Sequence, residues 1–247
     1  MIKKHDLKKL LNLNFIDLTN KTYYCGKYDL PYMPCPNLIN PDYLALYSET
    51  KNYNKTDRTF LCFYQYDNKF DNIRGLFEAI YYNNKQLLEK FKDRFKNVKY
   101  AIAPDYSQVG DIPRIENEYR LFKSRVVAIW LCLECNIIVV PNITYANSNY
   151  FDIMLDGMQD SEMVAISVKG ILTDIKEKEL LEQAIKITVD SLGNLKKIIV
   201  YSVSTSDEKI LEIFAYATSH GIEIIIPNNI LKERNMLKME VRKNGQN

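Results

Sequence analysis

The chain has 247 residues, 47% hydrophobic and 26% charged, the composition of an ordinary globular protein with one sizeable core. Its 33 Lys and Arg against 31 Asp and Glu give a formal charge of +2, too balanced to announce a nucleic-acid or membrane surface. No apolar run is long enough to span a bilayer, and the first residues lack the apolar core of a signal peptide, so the expected setting is cytoplasmic, with no membrane partner.

Residues 1–58 hold one short amphipathic stretch, 3–11, and then a Tyr-, Pro- and Asn-rich passage with Pro31, Pro34, Pro36 and Pro41. Proline lacks an N–H and fixes φ, so this density argues against a central strand or a long helix. The segment reads as a strap across the body of a single domain, 1–247, with an α/β body at 59–228 and a basic tail at 229–247. Residues 1–10 and 229–247 each carry a net +3, which leaves −4 on the body. Such ends either contact nucleic-acid phosphates or are simply solvated.

From Thr59 onward, short β-branched or aromatic runs at 60–66, 100–103, 137–140, 164–168, 198–203 and 222–226 alternate with helical-period segments, the pattern of successive βα units. A helix over 85–95 follows the first run. Ile115, Tyr119, Phe122, Val126, Ile129, Trp130 and Leu133 then form one apolar stripe, with Pro113 at its first turn and Asn136 at its left-handed end. A second long helix spans 174–192. Thr205 and Glu208 form a capping box that predicts a helix over 206–220, stopped at Gly221. The expected fold is α/β with a mainly parallel sheet of six or more strands. Irregular barrel-like closure is preferred slightly over an open doubly wound sheet, because loops after consecutive strands carry the polar motifs.

Those loops hold the candidate site. In parallel α/β folds the carboxyl ends of the strands share one edge, where ligands bind. Asp105, Asn142 and Lys169 are the candidate catalytic residues, and Ser107, Arg120, Tyr145 and Ser167 the candidate substrate contacts. The competing reading is that these residues only make βα turns and cap helices. Asp67 and Asp105 follow neighbouring strands and are candidate ligands for Mg2+, with Lys169 or Arg120 on a substrate phosphate.

Other chemistries are disfavoured. His5 and His220 are the only histidines, so a histidine-rich metal site or a Ser-His-Asp triad is not expected. Cys132 and Cys135 close a helix instead of opening one, which argues against redox chemistry, and zinc held with Cys25 and Cys35 is the minority reading against buried packing cysteines. With Gly 8 in the whole chain, no phosphate-binding glycine loop exists. Arg125, seven residues after Glu118 on one side of a helix, is expected to be ion-paired.

Pro104-Asp105-Tyr106-Ser107, Asn117, Tyr119-Arg120, Trp130, Pro141-Asn142, Tyr145, Asp156-Gly157 and 164–170, in that order, resemble the domain of unknown function numbered forty-four-seventeen, found in phages, plasmids and bacterial genomes. The resemblance spans roughly residues 60–202 and departs at Tyr145, where the family has Trp, and at Asn136, where it has Gly. It implies a mobile-element context and transfers no chemistry. Two functions follow: a phage- or plasmid-type accessory protein with a ligand or catalytic site at the strand ends, acting on nucleic acid or nucleotides, or a non-catalytic protein that binds a host or replication protein. A cleft lined by the candidate residues favours the first; an exposed apolar patch elsewhere favours the second.

Overall fold

Nine strands and eight α-helices are found among the residues that the computed structural model describes, Leu11 and 13–244. After α1 (Ile16–Thr19), strands β1 (Tyr24–Cys25) and β2 (Leu30–Pro31) form an antiparallel hairpin. Parallel strands β3 (Tyr43–Leu46), β4 (Thr59–Cys62), β5 (Tyr100–Ile102) and β6 (Ile138–Val140) make one sheet in that order. A second parallel sheet holds β7 (Met163–Ser167), β8 (Lys197–Tyr201) and β9 (Glu223–Ile225).

This corrects the expected sheet. No sheet of six or more strands forms and no barrel closes: the sheets have four and three strands, joined on each flank by one isolated parallel bridge, Asn142 to Ala165 and Tyr43 to Asn228. A proline, Pro141 or Pro227, precedes the bridging asparagine at each seam and has no N–H to extend the ladder. Two backbone bonds remain at each: Ala165 N to Pro141 O and Ile143 N to Ala165 O, then Leu44 N to Asn228 O and Asn228 N to Asp42 O. Strand β3 is a further correction, since it lies in the segment read as a strap. It begins after the last of the clustered prolines, so none of them interrupts it.

Both faces of each sheet are covered, which explains the strands' nearly continuous apolar runs. Leu44, Phe60, Ile102, Val140, Met163, Ala165, Ile199 and Ile225 point inward from all seven parallel strands into one shared cluster. The outer face of the four-stranded sheet packs against α2 (Leu76–Tyr81), α3 (Lys85–Phe95) and α4 (Arg114–Cys135). The outer face of the other sheet packs against α5 (Ile175–Ser191), α6 (Glu208–Ile213) and α7 (Ala215–Ser219). Helix α8 (Ile230–Asn244) follows; Asn229 Oδ1 accepts from Lys232 N at 3.0 Å and its amide donates to Ser202 O at 2.7 Å, fixing the first turn to the body.

Helix signals fared unevenly. Asn136 adopts φ 55 after α4, and Asp174 caps α5 by accepting from Lys176 N and Glu177 N. The α4 stripe is buried only at Val126, Ile129 and Trp130, and Leu133 at its end is 46% exposed. Val126 to Leu131 are buried all round, each large aliphatic side chain contributing about 1.5–3 kcal/mol, but Ile115 is 71% exposed and Tyr119 42%. The Thr205 capping box does not form: Thr205 Oγ1 bonds Met239 Sδ at 3.1 Å, and the expected helix is split into α6 and α7. Among the described residues Arg125 has no carboxylate partner. Its buried guanidinium donates to Asp156 O at 3.1 Å and approaches Met33 Sδ at 4.0 Å, while Glu118 pairs with Arg114.

Candidate functional site

The carboxyl ends of β4, β5 and β6 converge because the three strands are parallel neighbours. Tyr64 continues the inward alternation of Phe60 and Cys62, Asp105 lies three residues beyond β5, and Asn142 two beyond β6. Tyr64 OH donates to Asn142 Oδ1 at 2.7 Å, and the Asn142 amide donates to Asp105 Oδ1 at 2.9 Å. Thr144 Oγ1 donates to the same Asp105 oxygen at 2.5 Å. Tyr64 stacks on Tyr201 from β8, with ring centroids 4.6 Å apart, so the chain of bonds rests against the second sheet.

Both bonds to Asp105 fall on Oδ1, and among the described residues no donor reaches Oδ2. Burial lifts the Asp105 carboxyl to about 6, and the negative charge of Asp67 adds to the rise. The bonds from Thr144 and Asn142 and the positive Lys169 oppose it. A carboxyl there changes charge close to neutral pH and has an oxygen free to take a proton.

A second group lies alongside. Asp67 Oδ1 accepts from Ser107 N at 3.1 Å and Ser107 Oγ at 2.9 Å, and Asp67 Oδ2 accepts from Arg120 at 2.7 Å. Asp67 therefore pins the loop after β4 to the loop after β5 and to α4. Arg120 also approaches Glu116, at 3.2 Å. Both Asp67 oxygens are engaged, and a cation bound between Asp67 and Asp105 would compete with Arg120. Among the described residues no three His, Cys, Asp or Glu side chains gather to hold a metal. The five cysteines are free thiols, and burial pushes Cys35 and Cys135 up to about 12.

The remaining candidates divide. Lys169 is exposed, close enough to influence Asp105, with its Nζ 5.9 Å from the Tyr66 ring centroid. Ser167 Oγ accepts from Lys169 N at 3.3 Å and so shapes the turn. Tyr145 packs edge-on to Phe151 at 5.4 Å and has no bond to the Asp105 group. Sequence reasoning missed Tyr64 and Thr144. The two-residue alternation through Phe60 and Cys62 carried the signal for Tyr64, and the spacing of two from Asn142 carried it for Thr144.

A cavity of about 710 Å3 lies at the opposite edge of the same sheet, lined by Thr56, Thr59, Lys99, Tyr100 and Asn136. Volume alone does not make a site. Convergent bonds onto a carboxylate of shifted pKa are found at the other edge, where the candidate residues Asp105 and Asn142 meet.

Residues 22–218 match the profile of a family described as Domain of unknown function (DUF4417). Among similar proteins, the Gene 1 protein of Mycobacterium phage L5 is 29% identical over 102 residues, 41% of this chain and 44% of the relative. The Gene 1 protein of Mycobacterium phage D29 is 27% identical over 114 residues, 46% of this chain and 40% of the relative. The chain spans less than half the length of these curated relatives. No helix among the described residues is long and apolar enough to cross a membrane.

Proposed function

The chain belongs to the DUF4417 family, and from that phage-associated setting we propose that it is an accessory protein whose strand-end site binds a nucleotide or nucleic-acid phosphate and uses Asp105 as its proton acceptor. The observation that carries this reading is the Asp105 carboxyl, lifted to about 6 by burial, fixed through Oδ1 by Asn142 and Thr144, and open at Oδ2. Lys169 is the phosphate contact. Asn142 is a positioning residue, since its amide is held by Tyr64 on one side and holds Asp105 on the other. Backbone resonances followed by NMR during titration with a nucleoside monophosphate test the reading. Shifts should centre on Asn142, Thr144 and Lys169, and Lys169→Ala should weaken binding. Asp105→Asn should leave binding in place. A titration that leaves these residues unmoved overturns the assignment.

One observation favours the second reading, a non-catalytic protein that binds a host or replication protein. Ile115 and Tyr119 are exposed beside an apolar groove of about 350 Å3 that also involves Tyr28, Leu30, Phe122 and Ile153. In that case Ile115→Lys removes the biological effect in a folded protein and Asp105→Asn does not.

A further inference from the structure

We infer that the strand-end site takes an unpaired nucleobase, stacked on Tyr66, with its phosphate on Lys169; this rests on the reading of the Asp105 edge as a phosphate site. Tyr66 stands apart from the other tyrosines at this edge. It is 79% exposed, whereas Tyr64, Tyr106 and Tyr201 are 3%, 1% and 0% exposed. An aromatic ring left in water at the end of a buried strand does nothing for the core.

The backbone that carries the ring is nevertheless held in place. Tyr66 immediately precedes Asp67, whose two oxygens are tied to Ser107 and Arg120. Lys69 N bonds Tyr66 O at 2.9 Å and Phe70 N bonds Asp67 O at 3.0 Å, closing a 3-10 turn over Asp67–Lys69. An aromatic side chain on a fixed backbone, with only two rotatable bonds, loses little entropy when a ligand stacks on it.

Lys169 Nζ stands 5.9 Å from the Tyr66 centroid, and its charge reaches Asp105. One exposed ring, one exposed cation and one carboxylate near neutrality therefore share the strand-end edge. A nucleotide presents the complementary set: a flat π face, a phosphate, and hydroxyl groups that can give up a proton. Every base has such a face, so stacking sets the class of ligand without choosing among bases. In a duplex the faces are covered by neighbouring pairs, which makes the ligand unpaired.

The test uses the full chain and calorimetric titration with adenosine monophosphate, ribose 5-phosphate and inorganic phosphate. Adenosine monophosphate should bind more tightly than ribose 5-phosphate. Tyr66→Ala should weaken adenosine monophosphate about tenfold or more, leave ribose 5-phosphate unchanged, and be rescued by Tyr66→Trp. Tyr66 is exposed, so these variants keep the fold. Equal binding of the two sugar phosphates, both weakened by Lys169→Ala, overturns the stacking inference and leaves the phosphate site standing. Absence of binding by all three compounds overturns both. If a single-stranded oligonucleotide, and not its duplex, binds more tightly than the mononucleotide through Tyr66, a strand is the source of the base. If the mononucleotide alone shows the Tyr66 dependence, the source is a free nucleotide. Either result supports the inference.

Discussion

The two parallel sheets are built alike and carry different chemistry at their carboxyl ends. At the end of the four-stranded sheet, charge is held under cover: Asp67 with Arg120, Asp71 with Lys123 at side-chain exposures of 10% and 16%, and Asp105 with no cation bonded to it among the described residues. The three-stranded sheet ends mainly in hydroxyls that satisfy their own turns, beside one pair in which the covered Lys232, 3% exposed, meets the 46% exposed Asp207. Ser167 Oγ accepts from Lys169 N, Ser202 Oγ from Ser204 N, and Ser204 Oγ from Ser206 N. An ion pair on its covering helix, Lys178 with Glu182, is 43% and 47% exposed. Burying charge is often no better than placing apolar groups of similar shape. Among the described residues, ion pairs with both partners shielded are thus found at the end of the first sheet, at Asp67 and Asp71.

The largest expected effect breaks that contrast at Lys123. Lys123→Ala strips the covered Asp71 of its counter-charge and should cost about 3–5 kcal/mol in urea unfolding, whereas Lys178→Ala on α5 should cost at most about 0.5 kcal/mol. Similar losses for the two variants would remove the distinction between the halves. A smaller effect of opposite sign is expected at Asp105. Its carboxyl titrates near 6 in the fold and near 3.8 when free, so the folded chain binds the proton first and stability falls as pH rises from about 4 to about 6. Asp105→Asn should therefore stabilise the protein by about 1–3 kcal/mol at pH 8 and by almost nothing at pH 4. A variant destabilised at pH 8 would make Asp105 a structural turn residue. The smallest effect sharpens the comparison: Ser167→Ala should cost under about 1 kcal/mol and leave nucleotide affinity intact. Lost affinity would make the Ser167 hydroxyl, and not Lys169 alone, part of the second sheet's share of the site.

Much of this arrangement was legible in the sequence, for identifiable reasons. The six apolar runs after Thr59 all contain strands, because burial on both faces leaves an apolar signature that needs no knowledge of pairing. Asp105 and Asn142 were found by position, since residues just beyond parallel strands share an edge. The division into two sheets was not legible, because strand patterns carry no record of where a ladder breaks. Strand β3 was hidden by composition: four prolines upstream outweighed the short Tyr43–Leu46 run that begins after them. The capping box at Thr205 failed because Met239, 34 residues away, offered the hydroxyl another partner. Arg125 was expected to be ion-paired, but Glu118 on the same face of its helix is taken by Arg114, one turn before it, and Arg125 donates to a backbone carbonyl instead.

The Pro-Asn seams bear on how the chain is assembled. Within each sheet every strand pairs with its neighbour in sequence, so each half can form from contiguous chain. The inward face of the first sheet, with Leu44, Phe60, Ile102 and Val140, has no cover from the second until residues 163–225 have left the ribosome. That interval is the exposure-prone phase of synthesis, when a bare apolar face can meet other chains. The Tyr43 to Asn228 bridge closes it last, clasping the beginning of the strand run to its end.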